Sequence, residues 1–276
     1  LQELAAQNAR LALASDTAQS ERRRLRRVEA LEELREALNL ESLPVRIECY
    51  DVSNVQADAP VGSMVVFQDA VPKKAHYRKF GVRGVSGPDD YAAIAEVVSR
   101  RFARQRDIVA ASHFRGEDEE SDGYDESFAA TPNLVVIDGG KGQLAAALAA
   151  MQAYDLPRVA VISLAKRQEE VFVPDRSEPI VLPRHSPGLQ LLQRVRDEAH
   201  RFALGFHRQR RDAAARESIF DRLEGVGPAR RRALLRHFGS ADRFLAATQE
   251  ELEGVPELPS KTARAIYAQL HKAGRA

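Results

Sequence analysis

Residues 45–51 read Val45-Arg46-Ile47-Glu48-Cys49-Tyr50-Asp51, an alternating run that ends on an acid. A period of two predicts a β-strand, closed here by Asp51. Working outward, Gly62–Phe67 predicts a second strand and Ala75–Val82 a third. The short spacings predict hairpin pairing among the three. Upstream, apolar residues recur at helical spacing through residues 1–40, and five arginines fall between Glu21 and Arg27. A solvated helical connector is the main reading of that basic run, with DNA contact as the alternative. Leu1 stands where an initiator Met would and enters a helical pattern, so the chain reads as a piece of a longer one.

Downstream, Asp89 or Asp90 caps a helix over Tyr91–Gln105. Residues 116–126 carry seven acids and no base, and read as a loop without chemistry. Asn133–Ile137 is a short apolar strand ending at Asp138, with a helix over Gln143–Tyr154 and a strand over Arg158–Leu164. Val171–Val173 and Ile180–Leu182 read as a small hairpin, and Leu189–Phe206 as a long helix. Antiparallel strands followed by strand–helix–strand crossovers give an α/β fold with a ribonuclease H-like mixed sheet and flanking helices. An all-α tandem helix-hairpin-helix domain follows. The expected division is a leading basic helical segment at 1–44, the α/β domain at 45–207, a linker at 208–217 and the hairpin domain at 218–276.

The chain has 276 residues, 44% hydrophobic and 29% charged, enough to bury a core. A single Cys excludes a disulfide scaffold and a thiolate zinc site. No apolar run reaches the roughly 18 residues of a membrane span. The formal charge of +1 argues against nucleic acid only until its distribution is read. Residues 196–236 hold eleven Arg against six acids, so one end of the chain is basic.

Three residues at sequence-distant element positions carry candidate chemistry. Asp51 alone reads equally as a turn cap. Asp138 also ends a buried strand, and Gly139-Gly140-Lys141-Gly142-Gln143 follows it. Glycines there allow close backbone approach, and a helix N-terminus attracts anions. A P-loop is excluded, because Lys141 is followed by Gly142 and not by Ser or Thr. His200 lies at the edge of the apolar face formed by Leu189, Leu192, Val195, Ala199 and Phe202. It reads as a ligand or proton carrier, or as a structural His. Arg196 and His207 share that surface as possible phosphate contacts. Two carboxylates and an imidazole suit Mg²⁺ or Mn²⁺ and phosphodiester hydrolysis.

In the C-terminal domain, Gly225-Val226-Gly227 opens a helix after a short helix at Ser218–Leu223. This is a hairpin whose backbone N–H groups reach phosphate, with Arg230, Arg231, Arg232 and Arg236 supplying charge. The second copy, at Glu257-Leu258-Pro259-Ser260 before Lys261, lacks the glycines and reads as the weaker one.

Four motifs in order resemble the UvrC family, the endonuclease subunit of bacterial nucleotide excision repair. They are Ile47–Ser53, Gly87–Ala93, Val136–Leu144 and Arg196–Phe202. The resemblance implies a divalent-metal-dependent endonuclease that makes the 5′ incision, with the family's Asp-Asp-His triad on Asp51, Asp138 and His200. It further implies a role for Asp90, and a scissile-phosphate contact by Lys141 is the accompanying expectation. DNA-binding residues are expected at Gly225, Gly227, Arg230, Arg231, Arg232 and Lys261. The implied partners are double-stranded DNA with a lesion or nick, and UvrB through a segment outside this sequence. The setting is the cytoplasm and the SOS response, with no membrane. Family members commonly carry His where this chain has Asn54. A junction-resolving nuclease of the same fold and a non-catalytic DNA-binding scaffold are the alternatives.

Overall fold

A computed structural model describes residues 2–53, 60–83, 89–113, 125–165, 169–221, 223, 225–239, 241–256 and 258–272. Asn54, Gly87, Pro88, Glu257 and most of the acidic 116–126 stretch lie outside the described residues. The chain divides into two compact units, residues 1–205 and 206–276.

The first unit is built on β1 (Arg46–Ser53), β2 (Val61–Gln68), β3 (Val71–Pro72), β4 (Arg78–Gly81), β5 (Leu134–Asp138), β6 (Ala160–Leu164) and β7 (Val171–Phe172). Among the described residues these form one mixed sheet in the order β3-β2-β1-β5-β6-β7, with β4 also on β2. β1 pairs antiparallel with β2, and β2 with β4, as the short spacings predict. β1 and β5 pair in parallel, as do β5 and β6. The strand β3 escapes sequence reading because its turn uses Asp69 and Ala70, both at positive φ, in place of the usual Asn-Gly. The strand expected from Ala75 starts only at Arg78, because Lys74–His76 form a 3₁₀ turn. The expected 171–182 hairpin reduces to a bridge between Val171 and Ile180, while β7 pairs with β6.

Alternate residues of the strands feed two cores. Ile47, Cys49, Val65, Phe67, Leu134, Val136, Ile162 and Leu164 meet Ala30, Leu31 and Leu34 of α1 (Gln2–Ala37) and Leu38 just past it. The same core takes Leu189, Leu192, Val195 and Ala199 of α5 (Pro187–Asp221). On the other face Met64, Val66, Val135, Ile137 and Val161 meet α2 (Asp90–His113) and α4 (Lys141–Met151). Helices on both faces give an α/β/α sandwich. Three groups start α5: Ser186 Oγ accepts from Leu189 N at 3.2 Å, Pro187 presets φ, and Glu33 of α1 accepts from Gly188 N at 2.6 Å. α5 continues through residues 208–217, where a linker was expected, and through the separate short helix expected from Ser218.

The second face of β1 is polar and still buried. Glu48 accepts from Arg101 Nη2 at 2.8 Å, Arg46 Nη2 at 2.9 Å and Tyr50 OH at 2.6 Å. Other donors of the two guanidiniums go to carbonyls of Ser127, Phe128 and Ala130, at and just past the short α3 (Glu126–Ala129), to the Gln105 carboxamide and against the His76 ring. That satisfaction is the condition for burying charge in a core.

The second unit holds α6 (Pro228–Phe238), α7 (Ala241–Leu245), α8 (Gln249–Glu253) and α9 (Ser260–Lys272). Its core comprises Leu223, Leu234, Phe238, Phe244, Leu252, Val255, Leu258, Ala263 and Ile266.

Candidate functional site

Tyr50 on β1 lies opposite Ile137 on β5. Asp51 and Asp138 are the next residues along these parallel strands, at their carboxyl ends, and share the face that α5 crosses. α5 brings His200 over them. One ligand atom from each of Asp51, Asp138 and His200 lies within 4.8 Å of the others. Both acids are buried, while the His200 side chain is 47% exposed, so the site is open on one side. His200 Nδ1 stands 3.2 Å from Asp51 Oδ2. In a hydrogen bond to a carboxylate Nδ1 is the donor, which leaves Nε2 free for another partner. The donor set fits a hard divalent cation: two carboxylates supply oxygen and negative charge, and an imidazole completes it.

Ser63, which sequence reading passed over, holds the site together. It sits opposite Asp51 on β2. Its buried Oγ lies 3.2 Å from the Ala199 carbonyl and 3.4 Å from the Asp51 carbonyl, and its proton serves one at a time. A polar residue between Gly62 and the apolar run Met64–Phe67 was the available signal. The motif around His200 is explained by packing. Glu198 accepts from Tyr77 OH at 3.0 Å and from Arg201, and Phe202 packs edge-on against Tyr77. Burial and the Glu198 carboxylate push the Tyr77 phenol up. Arg196, expected at phosphate, is engaged by Glu169 at 2.7 Å and by Asp197. The side chain of His207 lies outside the described part.

The glycine run after Asp138 makes room for side chains. A Cβ on Gly139 would collide with the Gln143 carboxamide, which accepts from Gly140 N at 3.0 Å. A Cβ on Gly142 would fall 2.6 Å from the Tyr91 ring. Lys141 Nζ donates to the Ser177 carbonyl and lies over the Phe172 ring. Asp90, exposed in the first turn of α2, is brought beside α4 through that Tyr91–Gly142 contact.

In the second unit Gly225 has φ +83°, a conformation that requires glycine, and the exposed Gly227 caps α6 with Pro228 at its first position. Arg230 Nη1 donates to the Gly225 carbonyl at 2.7 Å, so it braces the hairpin. Arg232 and Lys261 are exposed, and Arg231 is partly buried. In the second hairpin Val255 and Leu258 are buried, and the Pro259 carbonyl accepts from Thr262 and Ala263 at the start of α9.

Residues 35–204 match the family described as UvrC RNAse H endonuclease domain, and residues 218–272 match SAM-like helix-hairpin-helix tandem. The chain is 47% identical over 252 residues to UvrABC system protein C of Acidothermus cellulolyticus, covering 88% of this chain and 39% of that protein. It is 46% identical over 277 residues to UvrABC system protein C of Thermobifida fusca, covering 98% of this chain and 42% of that protein. The chain thus spans about 40% of the length of these curated relatives. A solved Endonuclease V of Ciona intestinalis in complex with DNA aligns over 55% of this chain and 56% of that one. The two share 16% identity, with a TM-score of 0.26.

Proposed function

The chain belongs to the UvrC family, and on that premise we propose that it carries a divalent-cation-dependent DNA endonuclease, the one that makes the 5′ incision in nucleotide excision repair. The observation that carries the reading is the convergence of Asp51, Asp138 and His200 within 4.8 Å. Asp51 and Asp138 would hold Mg²⁺ or Mn²⁺. Such an ion lowers the pKa of bound water and neutralises phosphate charge. Asp51 orients the imidazole through Nδ1, leaving Nε2 to act as a ligand or to take the proton of the attacking water. The buried strand ends hold both carboxylates fixed, and the exposed side of His200 leaves the approach for a DNA strand. Gly225, Gly227, Arg231, Arg232 and Lys261 would grip the phosphate backbone of double-stranded DNA bearing a lesion or nick. Arg230 would act mainly by shaping its hairpin. Lys141 and Asp90 would flank the strand from the α4 side. UvrB and a cytoplasmic setting complete the proposal. No helix among the described residues is long and apolar enough to cross a membrane.

The test is cleavage of a nicked or lesion-bearing duplex with Mn²⁺. Asp51→Ala should lower the rate by at least about 10²–10³, the scale of a lost electrostatic contribution. Unchanged cleavage would remove Asp51 from the site. DNA binding without cleavage by the unaltered chain would favour a scaffold, and preference for four-way junctions would favour a resolving nuclease.

A further inference from the structure

The carboxylate pair is one end of a longer row. Asp51 on β1 lies opposite Ser63 on β2, and Ser63 lies opposite Lys79 on β4. With Asp138 beside Asp51, the row Lys79–Ser63–Asp51–Asp138 crosses four adjacent strands on one face of the sheet. α5 touches it at three successive points. Phe202 has its ring centroid 4.7 Å from Lys79 Nζ, the Ala199 carbonyl faces Ser63 Oγ, and His200 faces Asp51. The row therefore runs from a cation to two anions. Two inter-strand spacings set the Lys79 and Asp51 backbones about 10 Å apart.

Lys79 is an exposed residue, yet burial against its neighbours holds its ammonium below the usual lysine range. It is placed where a strand entering the site would carry its next charges. A carboxylate pair repels a polyanion, and a cation beside it offsets that repulsion at one point along the strand.

We propose that Lys79 binds a backbone phosphate flanking the one cleaved, and so sets the register of the DNA strand over Asp51 and Asp138. The proposal rests on the nuclease reading of those residues. Lys79 is a positioning residue. A lysine that merely packs on Phe202 would add nothing to the counterions released on binding.

The experiment follows binding of a nicked duplex oligonucleotide to the full 276-residue chain in EDTA across a KCl series. Wild type, Lys79→Gln and Lys79→Arg are compared. Losing one phosphate contact flattens the slope of log K against log salt by about 0.7–0.9. The affinity advantage of wild type over Lys79→Gln should therefore shrink about threefold between ~50 and ~200 mM salt. Lys79→Arg should keep the wild-type slope. An unchanged slope in Lys79→Gln, or a flattened one in Lys79→Arg, overturns the proposal. Cleavage of the same probe by Asp51→Ala with Mn²⁺ is scored separately. Persistent cleavage there refutes the nuclease reading, while a failed slope refutes only Lys79.

Discussion

Glu48 and Asp51 stand three residues apart on β1, both buried, on opposite faces of the sheet. Glu48 is met by two guanidiniums and a phenol, each at hydrogen-bonding distance. Asp51 is met by a half-exposed imidazole and stands beside a second carboxylate. One acid is neutralised from within the chain. The other belongs to a cluster whose sum is negative and which opens to solvent. Burial alone therefore does not single out the candidate acid; the sign of its neighbours does.

The comparison breaks first on stability. Glu48→Gln leaves two buried guanidiniums without their carboxylate, and should cost about 3–5 kcal/mol in urea unfolding. Asp51→Asn should stay within about 1 kcal/mol of wild type while losing cleavage. Equal stability losses in the two variants would erase the distinction.

Ser63 sharpens it next. Ser63→Ala removes the hydroxyl that ties α5 to β1 beside Asp51. It should cost about 1 kcal/mol of stability, and about 10-fold in Mn²⁺ affinity measured by titration calorimetry. A stability loss with unchanged Mn²⁺ affinity would confine Ser63 to packing.

The smallest effect lies on the Glu48 side. His76 Nδ1 stands 3.0 Å from Arg46 Nη1, its Nε2 faces Glu126, and Lys73 is a further nearby cation. Burial, with Lys73 and Arg46, holds the imidazole below its ordinary 6.5. The unfolded chain then takes up this proton at higher pH than the folded one. The His76 contribution is complete above that value and is lost as pH falls from it toward the folded pKa. Urea midpoints between about pH 7 and pH 5 should fall less steeply in His76→Gln than in wild type. Identical slopes would show that His76 does not contribute.

Much of the fold was legible in residue patterns. The alternation at Val45–Tyr50, the acid-ended run at Asn133–Asp138 and the long apolar stripe ending near Phe202 each define an element locally. The misses were also local in origin. Asp69-Ala70 is an unusual pair for a tight turn, and the separate short helix expected from Ser218 is part of α5. The glycines after Asp138 were legible as close approach, but what approaches is Gln143 and Tyr91. Alternation on β1 argues for a half-buried strand, and only the arginines of Arg46 and Arg101 make its polar face burial-proof.

Order of elements, the positions of Asp51 and Asp138 toward strand ends and of His200 at the edge of a helix's apolar face, and the Gly-Val-Gly hairpin are properties of the sequence alone, because each rests on a short-range periodicity or on one residue's conformational freedom. Which residues meet was decided by tertiary structure. Strand register placed Asp51 beside Asp138 and in line with Ser63 and Lys79, and it turned Glu48 toward Arg101. Register between distant strands is chosen by burial over the whole sheet, and no local pattern encodes it.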